Sequence, residues 1–273
     1  MQKILNYLLM AATVCGISLA AASCSSNDDN PATPDLNLSE KIIGKWVPVD
    51  ADGQPLLTNV KNVTTFLSAT KATVSTSRSE YTSEAVRWNA YREYAVEIDG
   101  GKVILTSMVN DLVKLVEEYD ISYISSTEMR CDYKHTTFVN GNAEMVVVEN
   151  DVRFVKTTAD YSAAILGTWQ GHCTSEGSVF DDGQEHRWEY KADGTYVYYV
   201  KSGDNWVPYE SNTLNEYFVD GTLLCTRWID NGQENREWWE ITVDGTQMHW
   251  TALREDANGQ RFTATFEMEK VSQ

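Results

Sequence analysis

The stretch "SEKIIGKW" (Ser39–Trp46) decides the fold, because it returns 123 residues later as "SAAILGTW" (Ser162–Trp169). Both stretches place a serine and a short apolar segment before a Gly-x-Trp motif. The four motif residues are Gly44, Trp46, Gly167 and Trp169. Because the motif stands at the head of two halves of similar length, it predicts a duplicated domain.

Further matches follow in the same order in both halves. "YAVEIDGGKVIL" (Tyr94–Leu105) resembles "EYFVDGTLLC" (Glu216–Cys225), and "YDISYISSTEM" (Tyr119–Met129) resembles "WEITVDGTQM" (Trp239–Met248). Each half closes on a strand-like segment of valine and lysine. We therefore place one domain at residues 38–157 and the second at residues 158–273.

Turn signals divide each half into short strands. "RWEYKADGTYVYYV" (Arg187–Val200) alternates large and polar residues around Asp193-Gly194, a pair that suits a tight hairpin turn. Similar pairs follow about every dozen residues, which leaves room for one strand between most of them. A sheet of about eight antiparallel strands loses its exposed edges when it closes. The sequence predicts an all-β fold of two tandem antiparallel meander β-barrels, each of about eight strands.

The chain begins with an export leader. Lys3 is the sole charge before Asp28, and the residues from Ile4 to Ala22 are mostly apolar. Residues 1–23 are predicted to be a signal peptide, and residues 24–37 are predicted to be a flexible polar tether. An ordinary secretory leader and an uncleaved transmembrane helix are the alternatives.

The small residues before Cys24 resemble a bacterial lipobox, a signal that implies acylation of the Cys24 thiol. The acidic tether, which includes Asp28 and Asp29, resembles that of surface-exported lipoproteins of the Bacteroidota. The resemblance implies a partner membrane, reached through the lipid anchor. The expected location is the outer membrane, with the protein exposed at the cell surface.

Charge and cysteine content narrow the function classes. The net charge of −18 argues against a nucleic-acid partner, whose phosphates need lysine and arginine. Cys131, Cys173 and Cys225 lie in the folded part, so at most one internal disulfide is possible. Cys173–Cys225 is the candidate pair, and buried free thiols are the alternative.

A short helical turn, Gly-x-Trp and an antiparallel meander together resemble the lipocalin superfamily, and especially the lipocalin-like domains of Bacteroidota lipoproteins. In that family the glycine bends the chain into the first strand and the tryptophan closes the barrel floor. An arginine of the last strand packs over the tryptophan, which makes Arg153 and Arg261 the candidates here. The second lipocalin motif, Thr-Asp-x-x-Tyr, is missing between the late strands.

Motifs for catalysis or metal binding do not stand out. His135, His172, His186 and His249 are scattered without metal-ligand spacing, and each is expected at a surface. We find no Gly-x-Ser-x-Gly, phosphate-binding loop or Cys-x-x-Cys pattern. The sequence therefore predicts a non-enzymatic protein that uses no metal and no cofactor.

Aromatic residues of the second half are the candidate ligand contacts, namely Trp188, Tyr196, Tyr198 and Trp239. An eight-stranded barrel is wide enough to hold one small ligand or to be filled by its own side chains. In "EWWE", adjacent strand residues face opposite sides. We expect Trp239 inside the barrel, and Trp238 exposed or buried between the domains.

Two functions follow from these observations. The first is a lipid-anchored, lipocalin-like binding protein of the cell envelope that holds a small apolar or glycan ligand. The second is a structural or interaction subunit of an outer-membrane complex, with solidly packed barrels and no ligand.

Overall fold

The computed structural model describes residues 37–56, 61–80, 87–174, 183–209, 212–255 and 258–272. The predicted signal peptide, most of the tether and Cys24 lie outside these residues. One short helix, α1 (Leu38–Lys41), precedes the strands. The strands are β1 (Gly44–Val49), β2 (Asn62–Ser68), β3 (Lys71–Glu80), β4 (Arg87–Asp99), β5 (Lys102–Met108), β6 (Val113–Ile124), β7 (Glu128–Val139), β8 (Asn142–Thr157), β9 (Gly167–Cys173), β10 (His186–Tyr190), β11 (Tyr196–Ser202), β12 (Asn205–Pro208), β13 (Asn212–Asp220), β14 (Leu223–Asp230), β15 (Gln233–Asp244), β16 (Gln247–Glu255) and β17 (Arg261–Lys270).

The first eight strands form a closed antiparallel barrel in chain order, which we call barrel 1. Each strand pairs with the next, and β1 pairs with β8 to close the barrel. The closing ladder runs from Lys45 opposite Thr157 to Val49 opposite Arg153. The predicted all-β meander barrel is confirmed for this half of the chain.

The other nine strands form one antiparallel sheet, which we call barrel 2, in the order β12-β11-β10-β9-β17-β16-β15-β14-β13. The β9–β17 pairing corresponds to the β1–β8 closure of barrel 1, and β12 has no counterpart there. The end strand β13 meets the residue before β11 at an isolated bridge between Thr195 and Glu216, so it contacts the second strand from the other end, not β12. The predicted all-β class holds, but this sheet has nine strands over the described residues and has no full ladder between β13 and the other end.

The two Gly-x-Trp motifs have the same surroundings. Trp46 and Trp169 are both completely buried. The indole N–H of Trp46 donates to the carbonyl oxygen of Ile42, and that of Trp169 donates to Ile165, each at 2.6 Å. Each indole hydrogen bond links its strand to the helical turn before it. The motif therefore has the same structural role in both halves.

Lysines, not arginines, cover the two tryptophans. The ammonium of Lys156 lies 4.9 Å from the ring centre of Trp46, and that of Lys270 lies 5.1 Å from Trp169. Strand register is the reason, since Lys156 pairs directly with Trp46 while Arg153 pairs with Val49, three residues further along β1. The expectation of an arginine is therefore wrong at Arg153. It is also wrong at Arg261, because that residue pairs with Glu255 at the far end of β17.

The same lysines explain why the motif needs glycine. Gly44 has φ +129° and Gly167 has φ +112°, conformations that residues with a Cβ rarely adopt. A Cβ on Gly44 would lie 3.0 Å from Cδ of Lys156, and one on Gly167 would lie 3.1 Å from Cε of Lys270. The glycine thus bends the chain and leaves room for the lysine stem.

Barrels 1 and 2 belong to one compact unit and share contacts, and the predicted boundary at residue 158 falls between β8 and β9. Lys45 Nζ of β1 lies 2.7 Å from Oδ1 of Asp220, which is almost fully buried in β13. The hydroxyl of Tyr91 in β4 donates to the carbonyl oxygen of Val219. Charged and polar pairs therefore join the two barrels.

Candidate ligand-binding site

The interior of barrel 1 holds a cluster of buried aromatic side chains. The Tyr119 ring packs against Tyr133 at 5.3 Å, Phe154 at 5.9 Å and Phe66 at 6.2 Å between ring centres. All four side chains are buried. These contacts agree with the packed alternative for this half, which stays a prediction.

A polar network is buried in the same interior. His135 Nδ1 lies 2.8 Å from Glu117 Oε1, and its Nε2 lies 3.0 Å from Thr137 Oγ1. The hydroxyl of Tyr133 donates to the other Glu117 oxygen. The expected surface position of His135 is wrong, because strand alternation turns it inward, where Glu117 supplies a partner. A network with its partners present rigidifies a core.

Barrel 2 contains a cavity of about 440 Å³ that is partly open to solvent. Nine of its fourteen lining residues are tryptophan, tyrosine or phenylalanine. Ligand pockets typically measure about 300–1,000 Å³ and are lined mainly by apolar and aromatic side chains. The cavity therefore has the size and the lining of a small-molecule site.

All four predicted candidates, Trp188, Tyr196, Tyr198 and Trp239, line this cavity. Cross-strand pairing explains their meeting, since Trp188 is opposite Tyr198 and Tyr190 is opposite Tyr196 on the inner face of β10 and β11. The structure thus brings the candidates together, and ligand binding by them stays a prediction.

The two tryptophans of "EWWE" separate as expected. Trp239 lines the cavity and is 2% exposed. Trp238 is also buried, on the opposite face of β15, the face that carries Glu240. Because Glu240 contacts Lys61 of barrel 1, Trp238 lies on the side of the sheet that meets the other barrel.

The cavity wall is a continuous set of packed rings. Trp250 lies 5.0 Å from Trp188 and 5.3 Å from Trp239 between ring centres, and Trp188 lies 5.2 Å from Tyr198. These spacings fall in the range that aromatic pairs prefer, about 4.5–7 Å. Each ring supports its neighbours, so the wall is held in shape by side-chain packing.

Two carboxylates lie among the aromatic residues of this wall. Glu237 and Asp230 both line the cavity, and the indole N–H of Trp239 donates to Glu237 Oε2 at 3.4 Å. Burial raises the pKa of Tyr196, and the negative charge of Glu237 raises it further. The described lining contains no lysine or arginine. The cavity is therefore aromatic and electronegative.

Two buried polar atoms of the lining residues have no hydrogen-bond partner within the described chain. They are the hydroxyl of Tyr190 and the indole nitrogen of Trp250. A buried polar group without a partner costs about 1–3 kcal/mol. A ligand with one polar group could supply the missing partner.

Some lining residues were not among the candidates. The additional lining residues include Trp228, Trp250, Asp230 and Glu237. The signal that could have found them is strand alternation, because Trp228 and Asp230 share one face of β14. His186 also lines the cavity and is half-buried, which corrects its expected surface position.

The cysteines form no disulfide in the described chain. Cys131, Cys173 and Cys225 are free and buried, so the Cys173–Cys225 candidate gives way to the alternative of free thiols. The sheet order explains the difference, since β17, β16 and β15 stand between β9 and β14. A disulfide requires Cα atoms about 4.4–6.8 Å apart.

A second depression of about 600 Å³ lies between the turn after β1 and strand β8. Its lining includes Arg130, Arg153, Glu149 and Asp151. The two arginines already contact Glu128, with Arg130 Nε at 3.0 Å and Arg153 Nε at 3.1 Å from its Oε1. This depression lacks the aromatic wall of the barrel 2 cavity.

Helices contribute little to the molecule. Over the described residues, none has the length and apolar character needed to cross a membrane.

Comparisons with known proteins do not place the chain in a family. No family model matches the sequence, and no curated protein matches it. A protein of unknown function from the DUF3598 family of Nostoc punctiforme is 10% identical, with a TM-score of 0.25, covering 86% of this chain and 98% of that one.

Two mutant forms of the vaccine antigen transferrin binding protein B from Haemophilus parasuis are also similar. The double mutant is 10% identical, with a TM-score of 0.22, covering 80% of this chain and 54% of that one. The single mutant is 9% identical, with a TM-score of 0.22, covering 85% and 65%. This chain thus spans between half and two thirds of those proteins. Similarity this low assigns neither a family nor a function.

Proposed function

We propose that this protein is a non-enzymatic, lipid-anchored lipoprotein of the cell envelope whose second barrel binds a small ligand. The observation that carries the proposal is the aromatic cavity of about 440 Å³ in barrel 2. Its rings are packed against each other and stay in place without a ligand, so binding requires little ordering of side chains. The ligand is an apolar molecule or a glycan, or another small molecule with an apolar surface that stacks on these rings.

The contrast between the barrels supports this choice. In barrel 1, Tyr119, Tyr133 and Phe154 occupy the interior, whereas in barrel 2 the equivalent position of Tyr119 is taken by Trp239 at a cavity wall. The buried aromatic cluster of barrel 1 favours the structural alternative for that half. We propose that barrel 1 is a scaffold and that barrel 2 is the binding module.

Isothermal titration calorimetry of the purified protein with fatty acids, oligosaccharides and small organic cations tests the proposal. Val200→Trp places a large side chain at the cavity wall and should abolish binding of any ligand found. Val148→Trp is the matched control, since Val148 is 57% exposed on barrel 1. Absence of binding across the panel, or binding that survives in a folded Val200→Trp variant, would refute the proposal.

The anchor is tested separately at Cys24. We expect the Cys24→Ala variant to leave the membrane fraction and to lose metabolically incorporated fatty acid. Protease treatment of intact cells tests surface display, because a surface protein is digested and a protein on the inner side is protected. An acylated Cys24→Ala variant would contradict the anchor.

A further inference from the structure

We infer that the cavity of barrel 2 selects an organic cation, a primary or quaternary ammonium group carried on an apolar body. The inference deepens the proposed function and rests on it. It depends on the combination of electron-rich ring faces with carboxylates in one cavity.

The cavity lining carries negative charge. Asp230 and Glu237 line the cavity, and no lysine or arginine is among the described lining residues. Asp230 receives a hydrogen bond from the Asn231 amide at 3.1 Å and makes no ion pair within the described chain. A ligand cation would neutralise a carboxylate that the protein leaves without a positive partner.

Arg254 is the cation next to this site. Its guanidinium carbon lies 4.3 Å from the Trp239 ring centre and one of its nitrogens donates to the Trp238 carbonyl oxygen at 2.8 Å. The negative charge of Glu237 acts on the Arg254 guanidinium, but the two side chains form no ion pair in the described structure. Arg254 therefore offsets part of the charge of Glu237 and leaves that of Asp230.

The tryptophan ring faces also favour a cation. A cation over a tryptophan or tyrosine face gains about 0.5–2 kcal/mol. The chain uses this interaction elsewhere: Lys156 covers Trp46 at 4.9 Å, Lys270 covers Trp169 at 5.1 Å and Arg187 covers Trp206 at 4.5 Å. In the cavity, Arg254 occupies a face of Trp239, and Trp250 is 2% exposed among its neighbouring rings. Trp188 and Trp228 are half-buried, one side of Trp188 stacks on His186, and no side-chain cation of the described chain lies over either tryptophan. These two rings are the place for a ligand cation.

The two carboxylates affect anionic, neutral and cationic ligands differently. A fatty acid would bring its carboxylate towards Asp230 and Glu237, and like charges placed close together repel. A neutral sugar or an uncharged apolar molecule would bind without neutralising either carboxylate. The overall charge of −18 also raises the local concentration of cations.

Calorimetry with matched ligands tests the inference. Acetylcholine and its uncharged carbon analogue 3,3-dimethylbutyl acetate have nearly the same shape and differ in charge. A second pair is benzylamine and toluene. We expect each cation to bind at least about tenfold more tightly than its neutral partner, which corresponds to 1.4 kcal/mol.

Variants of the two carboxylates test which charge is responsible for the cation preference. Glu237→Gln and Asp230→Asn keep the side-chain shapes, and we expect each to weaken cation binding several-fold and to reduce the difference in affinity between each cation and its neutral partner. Asp244→Asn is the matched control, since it removes the same charge from the exposed end of β15, outside the cavity lining.

The possible results separate failure of the cation inference from failure of the proposed function. Cation preference lost in the cavity variants and kept in Asp244→Asn supports the inference. If the neutral partners, the oligosaccharides or the fatty acids bind as well as the cations, the inference fails and the proposed function stands. If no member of any class binds, both fail.

Discussion

Lys61 Nζ lies 2.7 Å from Oε2 of Glu240, and this ion pair joins the start of β2 in barrel 1 to the cavity strand β15 of barrel 2. Lys61 is fully buried and Glu240 is 6% exposed. Neither of the two atoms has a further hydrogen-bond partner within the described chain, so each depends on the other for its charge compensation. Because Glu240 follows Trp239 directly, the contact also supports the wall of the barrel 2 cavity from its outer side.

Removing one partner of this pair should destabilise the protein strongly. Lys61→Met leaves the Glu240 carboxylate buried without a counter-charge, and a change of this kind costs about 3–5 kcal/mol. The double variant Lys61→Met with Glu240→Leu should recover most of the loss, because it buries no charge. Urea unfolding measures both. Lys71→Met is the control, since its pair with Glu93 is exposed and should contribute little.

Gly171→Ala should open barrel 2 where β9 meets β17. A Cβ on Gly171 would lie 1.8 Å from the carbonyl oxygen of Glu267, and backbone cannot move aside without breaking the ladder. We expect a loss of at least about 3 kcal/mol in the free energy of unfolding. Gly232→Ala, at φ +78° with open space around it, should cost about 1–2 kcal/mol. Equal losses for the two variants would contradict the steric explanation.

The three buried thiols should be unreactive in the native protein. Burial raises the pKa of Cys131 to about 12 and raises that of Cys225 as well, so little thiolate forms at neutral pH. We expect alkylation of Cys131, Cys173 and Cys225 only in denaturant, as mapped by mass spectrometry. Reductant should leave the melting temperature unchanged, whereas a fall would indicate a disulfide.

Stability should decline at alkaline pH. Burial raises the pKa of Tyr119 and Tyr190 well above the ordinary value of about 10. The native state therefore holds these protons more tightly than the unfolded chain. This contribution is complete below about pH 10 and is lost as pH rises further, because unfolding then releases the protons.

Absorbance of tyrosinate and circular dichroism should change together for the buried tyrosines. Tyr190→Phe should move the midpoint of alkaline unfolding to higher pH, since the Tyr190 hydroxyl has no partner in the described chain. Tyr123→Phe, at an exposed position of barrel 1, should not move it. Full ionisation of Tyr119 and Tyr190 before unfolding would refute the prediction.

Local patterns were sufficient for the all-β class and for the duplication. Turn pairs such as Asp193-Gly194 and the repeated Gly-x-Trp motif act over a few residues, so their effect is visible in the sequence. Strand alternation likewise placed Trp239 inside the barrel, on the same face as Trp188 and the tyrosines. The physical basis of these predictions is short-range: backbone conformation and the two faces of a strand.

Tertiary structure alone decided the rest. Whether Lys156 or Arg153 covers Trp46 depends on register between strands more than a hundred residues apart. The space left inside a barrel depends on how all of its inward side chains pack together, and in barrel 2 this packing leaves a cavity. Asp230 and Glu237 become one site with the aromatic rings through the pairing of β14 with β15. The sequence determined the strands and their faces; packing and register across the whole chain determined the site.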